Sequence, residues 1–320
     1  MSLPALLEDQ LRIPVIGAPM FIVSGPELVL AQCKSGIVGA FPALNARPEA
    51  MLEEWLARIT GELAAYRSAN PHFKVAPFAV NQIVHQSNDR LEHDVKMCVK
   101  YQVPIVITSL RPPAEVVDAV HSYGGVVFHD VINIRHAQKA IDQGVDGIIT
   151  VCAGAGGHAG TTSPFALVKE VREVFDGTII LSGSMSRGND ALAAQAMGAD
   201  LAYFGTRFIA TKEANAPSAY KDMIVDSAAD DIVYTNLFTG VHGSYLKGSI
   251  VNAGLDPDDL PQGELRTMNF GSGSTKAKAW RDIWGAGQGV GTIDDIPSVA
   301  DLVDRMEAEY RDGASWLCAS

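Results

Sequence analysis

A (β/α)8 barrel interrupted by a smaller, mostly helical unit is the α/β fold this sequence predicts, and three observations carry the prediction. Short apolar runs alternate with longer amphipathic segments eight times over the first two thirds of the chain. The runs are rich in Val, Ile and Ala without polar alternation, the pattern of strands buried on both faces of a parallel sheet. The bend after the first run reads Gly17-Ala18-Pro19-Met20, not the GxGxxG turn with which an open dinucleotide-binding sheet begins. A closed barrel is therefore favoured over an open doubly wound sheet.

The candidate strands are residues 13–20, 37–44, 74–83, 104–110, 125–131, 147–152, 178–182 and 201–206. Helical segments fall between them at 27–34, 48–67, 89–101, 113–121, 134–143, 164–174 and 189–197, several opening on Pro or Asp as helix starts do. After Arg207 the alternation stops. Residues 212–284 show helical patches and a polar stretch at 252–274, and residues 300–310 read as an amphipathic helix with Leu302, Val303 and Met306 on its apolar side. The expected division is a barrel of residues 1–212 and 285–320, with residues 213–284 as an inserted substrate subdomain.

Composition bounds the partners. The chain has 320 residues, 47% hydrophobic and 19% charged, with a formal net charge of −12, which disfavours a nucleic-acid backbone as ligand. Its four cysteines, Cys33, Cys98, Cys152 and Cys318, are far apart and form no CxxC pair, so reduced thiols are expected rather than a disulfide frame or a zinc site. No apolar run is long enough to span a bilayer, and the first residues lack a basic segment followed by an apolar one, so a cytoplasmic protein with no membrane association is expected.

In such a barrel, ligands bind at the C-terminal ends of the strands, with phosphate commonly between the loops after the seventh and eighth. Those ends read Ser182-Gly183-Ser184 and Gly205-Thr206. Small residues there offer backbone N–H groups and hydroxyls to an anion, and the helices that follow would aim their positive ends at it. Ala18-Pro19-Met20 ends the first strand as an apolar ledge suited to a planar ring; Asn81 and Gln82 end the third, and Ser109 the fourth. His129 and Asp130 are adjacent at the end of the fifth, so at most one of them faces the mouth. The sixth runs into Cys152-Ala153-Gly154-Ala155-Gly156-Gly157-His158-Ala159-Gly160, a glycine-rich bend that lets backbone approach a ligand and sets one imidazole beside it. An imidazole of ordinary pKa near 6.5 accepts a proton from a weak carbon acid at neutral pH, which makes His158 the candidate base. His242 and Tyr245, in the inserted unit, are weaker candidates for contacts to substrate, and the eight histidines show no metal-ligand spacing.

These motifs, with Pro77-Phe78-Ala79-Val80-Asn81, Gly205-Thr206-Arg207-Phe208 and Trp284-Gly285-Ala286-Gly287-Gln288-Gly289, resemble over nearly the whole chain the FMN-dependent nitronate monooxygenases, formerly 2-nitropropane dioxygenases. The resemblance implies a TIM barrel holding FMN non-covalently at its mouth. The phosphate would lie on Ser182, Gly183, Ser184, Gly205 and Thr206, and the ring against Ala18, Pro19 and Met20. Asn81, Gly156, Gly157 and Gln288 would lie close by, and His158 falls at the family's catalytic histidine. Three features depart from the pattern: Asp130 stands where some relatives carry lysine, Ser184 where the turn usually has a second glycine, and the segment between Thr150 and Gly154 lacks the acidic residues that many members place there.

The implied reaction is oxidation of alkyl nitronates or nitroalkanes with O2 to carbonyl compounds and nitrite. Flavin relatives that reduce quinones or enoyl thioesters with NAD(P)H supply the alternative, and a non-catalytic flavin-binding protein is a third.

Overall fold

The computed structural model describes residues 3–111, 113–261 and 282–319. Eight parallel strands form the central sheet: β1 (Val15–Gly17), β2 (Gly39–Pro42), β3 (Phe78–Val84), β4 (Ile105–Leu110), β5 (Val126–Val131), β6 (Gly147–Val151), β8 (Thr178–Ser182) and β9 (Leu201–Phe204). Their order is β1-β9-β8-β6-β5-β4-β3-β2, and the Ile16–Val38 bridge joins the two ends, closing the barrel. Seven of these strands lie within segments expected from the sequence, and β3 runs one residue past the end of its segment at 83. The helices between them are α1 (Pro26–Lys34), α2 (Met51–Ala69), α3 (Leu91–Lys100), α4 (Ala114–His121), α5 (Ile134–Ile141), α6 (Pro164–Arg172) and α7 (Gly188–Ala196).

Alternation along each strand divides the core into two layers. Ile16, Val38, Ala79, Ile107, Phe128, Ile149, Ile180, Leu201 and Tyr203 point inward and pack on one another. Their neighbours Val15, Val80, Val106, Val127, Ile148, Ile179, Leu181 and Ala202 point outward beneath the helices. This double burial is why the strands read as continuous apolar runs. Leu7, on the short 3-10 turn Ala5–Leu7 that precedes β1, is 1% exposed and packs into the inner layer. The N-terminal end of the barrel is thus filled, leaving the C-terminal end for a ligand.

The chain after β9 forms α8 (Thr206–Ile209) and α9 (Ser218–Val225), then a hairpin of β10 (Ile232–Thr235) and β11 (Gly243–Leu246), then α10 (Lys247–Asn252). The sequence reading had anticipated the helices but missed the hairpin, whose strands are four residues each. β11 also pairs with β7 (Gly157–His158), so the chain after β9 is hydrogen-bonded to the glycine-rich bend after β6. Much of the polar stretch expected at 252–274 falls outside the described residues.

The last helix, α11 (Val299–Ala319), buries Val299, Leu302, Val303 and Met306. It lies so close to the start of α7 that a Cβ added at Gly188 would stand 1.8 Å from the Met306 carbonyl oxygen, while the Gly188 N–H donates to Glu309 Oε2 at 2.7 Å. No described helix is long and apolar enough to cross a membrane. Gly188→Ala is expected to cost about 1–3 kcal/mol by forcing these backbones apart. Gly61→Ala, on an exposed face of α2 with nothing within 4 Å, is expected to be neutral or stabilising. Thermal unfolding of the two variants beside the parent checks both.

Candidate active site

The floor of the barrel mouth is set by strand parity. Asn81, Ser109 and Asp130 follow the inward sequence of Ala79, Ile107 and Phe128, whereas His129 points the other way, its Nδ1 2.8 Å from the Thr108 hydroxyl. Burial, with His136 nearby, pushes the His129 pKa down to about 4, so it is a neutral structural histidine behind the strand. Of the adjacent pair, Asp130 therefore faces the site. Asn81 Nδ2 donates to Ser109 Oγ at 2.9 Å and to the Ile107 carbonyl at 3.3 Å, and Ser109 Oγ donates to Asp130 Oδ2 at 2.5 Å. Asp130 Oδ1 is buried with no hydrogen-bond partner. Burial pushes its pKa up to about 6, opposed in part by the Ser109 bond. Gln82, the other amide named at this strand end, is buried on the opposite side, with its Nε2 3.4 Å from Cys98 Sγ.

One side of the mouth is walled by glycine-dependent crossings. The bend after β6, the turn after β8 and the segment returning to the barrel before α11 all meet here. Gln288 N–H donates to Gly154 O at 2.9 Å, Ser184 N–H reaches the same oxygen at 3.3 Å, and Gly287 N–H donates to Thr206 Oγ1 at 2.8 Å. A Cβ at Gly154 would fall 1.9 Å from Ser184 Oγ and 2.8 Å from Gln288 Oε1, and one at Gly156 would fall 2.8 Å from Gly287 N. Glycine is obligatory at such separations. Gly183 has φ +138° and Ser184 φ +56°, so the turn keeps the left-handed backbone of a glycine pair although its second residue is serine. Gly205 is open: a Cβ there would meet only Ala18 Cβ at 3.6 Å and Met20 Sδ at 3.9 Å. Ala18, Pro19 and Met20 are themselves half-buried beside it.

Two details bear on how an anion would be held here. The Ser184 N–H and the Thr206 oxygen already have internal partners. The α7 N-terminus is capped by its own Asp190, whose Oδ2 accepts from Ser186 and Arg187 N–H, and α8 is a single turn. Any anion would then rest on the turns rather than on helix ends.

His158 lies on β7, in register with Gly243 of β11. Its Nε2 lies 2.9 Å from Thr239 Oγ1, and the Thr239 hydroxyl donates to the Val241 carbonyl at 2.9 Å. With the hydroxyl proton directed at Val241, the threonine oxygen accepts from Nε2–H, an arrangement that favours the Nε2–H tautomer of the neutral ring. Burial pushes the His158 pKa down to about 4. Tyr245 lies on the other side of Thr239, 1% exposed, edge to face with Phe238, its phenol pushed up to about 12 by burial. It is a core residue that backs the threonine. His242 is exposed and stacks on Tyr234, ring centroids 5.1 Å apart, and Tyr234 donates to the Ala159 carbonyl.

Of the residues singled out from the sequence, the structure brings together Gly156, Ser184, Thr206 and Gln288 in one wall, and Ala18, Met20 and Gly205 in another. Asn81 lies on the floor, and His158 is held by the insertion through Gly157 and Thr239. Thr239 was missed, because its approach depends on the β7–β11 register, which leaves no pattern in the chain.

An NMR titration of the His158 ring is expected to show an Nε2–H tautomer at neutral pH and a midpoint near 4, and Thr239→Val to abolish the tautomer preference. An unfolded histidine titrates near 6.5, so both buried imidazoles bind protons less readily than the unfolded chain between those values. Stability is therefore expected to fall as pH drops from about 6.5 toward 4, as denaturant melts at several pH values will register.

Comparison with known proteins agrees with this geometry. The nitronate monooxygenase family model matches residues 61–309. A nitronate monooxygenase of Paraburkholderia phytofirmans is 24% identical, covering 95% of this chain and 94% of its own. A (3aS,4S,5R,7aS)-5-hydroxy-7a-methyl-1-oxo-octahydro-1H-indene-4-carboxyl-CoA dehydrogenase of Rhodococcus jostii is also 24% identical, covering 92% of each chain. The solved nitroalkane oxidase of Streptomyces ansochromogenes superposes with a TM-score of 0.81 over 98% of this chain and 100% of its own, at 22% identity, and so shares the fold. The chain belongs to the nitronate monooxygenase family, a family of flavin-dependent oxidoreductases.

Proposed function

We propose that the protein is an FMN-dependent nitronate monooxygenase that converts alkyl nitronates, and nitroalkanes after loss of their α-proton, with O2 to carbonyl compounds and nitrite. The observation that carries this reading is His158: a buried imidazole with a lowered pKa, on a two-residue strand of the glycine-rich bend after β6 and bonded to Thr239.

The residues fit a flavin mononucleotide. Open backbone at Gly205 beside Ala18 and Met20 accepts a flat ring, and the Ser182-Gly183-Ser184 and Gly205-Thr206 turns suit a phosphate. Bound FMN would supply the electron transfer between nitronate and O2. The protein's own part is proton handling and positioning. A histidine with a depressed pKa is not a standing cation at neutral pH, so its role is that of base and not of preformed anion holder. Taking the α-proton of a nitroalkane leaves an imidazolium beside a nitronate anion, and that opposite charge stabilises the protonated ring at the moment it is needed. Thr239 keeps the ring in the tautomer that can do so.

The same base could act next to a thioester carbonyl, as the acyl-CoA substrate in the Rhodococcus relative's name invites. NAD(P)H-driven reduction of a quinone or enoyl thioester is accordingly the second reading. Anaerobic titration of the FMN-loaded protein separates the two: bleaching by propionate 3-nitronate but not by NADH or NADPH is expected, and the converse would move the protein to the reductases.

His158→Asn is expected to lower kcat/KM on neutral nitroalkanes by about 10²–10⁴-fold, the usual contribution of a positioned base, and to affect preformed nitronates far less. Oxygen uptake and nitrite release on both substrate forms measure this. Equal loss on the two would show that His158 is not the base.

A further inference from the structure

We infer that Asp130 is a redox-linked proton carrier: the inward carboxyl under the barrel mouth takes up a proton when the ring bound above it becomes negatively charged. The inference rests on the flavin reading of the site, but its own observations are separate.

The first is position. Asp130 shares the inward parity of Phe128 and stands where β5 ends, at the level where Asn81 and Ser109 close the floor. The second is asymmetry in its contacts. Oδ2 accepts from Ser109, which is oriented by Asn81, whereas Oδ1 is buried and unpartnered. An acceptor-only carboxylate left with a dry oxygen is costly; a protonated carboxyl turns that oxygen, or its twin, into a donor.

The third is the lack of compensating charge. At the inward ends of the neighbouring strands stand Asn81, Ser109, Val151, Ser182 and Ala18, none of them charged, and Tyr203 of β9, whose phenol burial and Asp130 together raise far above neutral. The titratable groups of the packed helices, Glu115, Asp118 and His121 on α4 and Arg135, His136 and Lys139 on α5, belong to the layer behind the strand, as His129 does. Nothing among these groups holds the carboxylate in its charged form.

Burial already pushes the Asp130 pKa up to about 6. A flavin ring bound at the mouth would remove water and raise it further, and two electrons on that ring would raise it again by like-charge repulsion. Between the oxidised-state and reduced-state values, reduction by two electrons brings one proton to Asp130 in addition to the one taken by the ring, and reoxidation returns both. The carboxyl thereby couples the pocket's electron affinity to pH.

The test measures the two-electron reduction potential of the FMN-loaded protein against pH from 5 to 9, by equilibration with a reference dye under dithionite. Asp130→Asn imitates the protonated acid in shape and charge. The expected result is coincident potentials for parent and variant at the acid end, the parent falling progressively below the variant as pH rises and then running parallel to it. Ser109→Ala removes a hydrogen bond that favours the ionised form, and is expected to move the point of divergence to higher pH. A difference that does not change with pH, or none, overturns the inference. Ser109→Ala supplies the same decision should Asp130→Asn fail to fold. Failure of the parent to bind FMN would instead overturn the reading of the site, and fluorescence quenching of added FMN records that beforehand.

Discussion

The constraint on which the site depends is the two-residue period of a strand in a closed barrel. With both faces buried, every side chain of a barrel strand belongs either to the inner layer or to the layer under the helices, and a slip of one residue would exchange them all. At β5 this separates two adjacent titratable groups into unrelated roles. His129 bonds Thr108 among the outward residues and stays neutral, while Asp130 meets Ser109 on the floor of the mouth. The inner layer below is apolar from Leu7 to Phe128, so the polar residues that do point inward are gathered at the open end.

Upon that floor the wall of the site is made by backbone crossing backbone. The bend after β6, the turn after β8 and the returning segment at Gly287 approach so closely that side chains would collide at Gly154, Gly156 and Gly287. The crossings also join parts far apart in the chain, since Gly154 O accepts from both Ser184 and Gln288. A glycine-rich loop is often taken as loose; here its hydrogen bonds go to fixed partners, and the absence of Cβ atoms is what permits them.

Much of this was legible beforehand because barrel strands leave a strong local signal. All eight strands and the seven helices between them fell where apolar runs and helix starts indicated, and the small residues at Ser182–Ser184 and Gly205–Thr206 marked the rim. What escaped was non-local. The β10–β11 hairpin is short, and its partner β7 is two residues of a glycine loop with no strand character of its own. Thr239 therefore carried no signal, although it fixes the His158 ring. His129 and Asp130 could be told apart only in principle, because parity needs a register and the register needs the neighbouring strands. The helix ends expected to favour an anion were likewise undone by a local detail, the Asp190 cap of α7.

The two buried titratable groups of the candidate site are held from different parts of the chain. His158 is on a barrel loop, but its orientation is set from the insertion by the β11 pairing and by Thr239, with Tyr245 packed behind. Asp130 is fixed from within the barrel by Ser109 and Asn81. One group is pushed down by burial and is neutral as a base; the other is pushed up and approaches neutrality as an acid. Desolvation acts in opposite directions on cationic and anionic acids, so a single physical cause, burial of the two side chains, brings both toward their uncharged forms. A site of this kind holds little fixed charge of its own, and charge arriving with an anionic substrate is met by protons that the site can move.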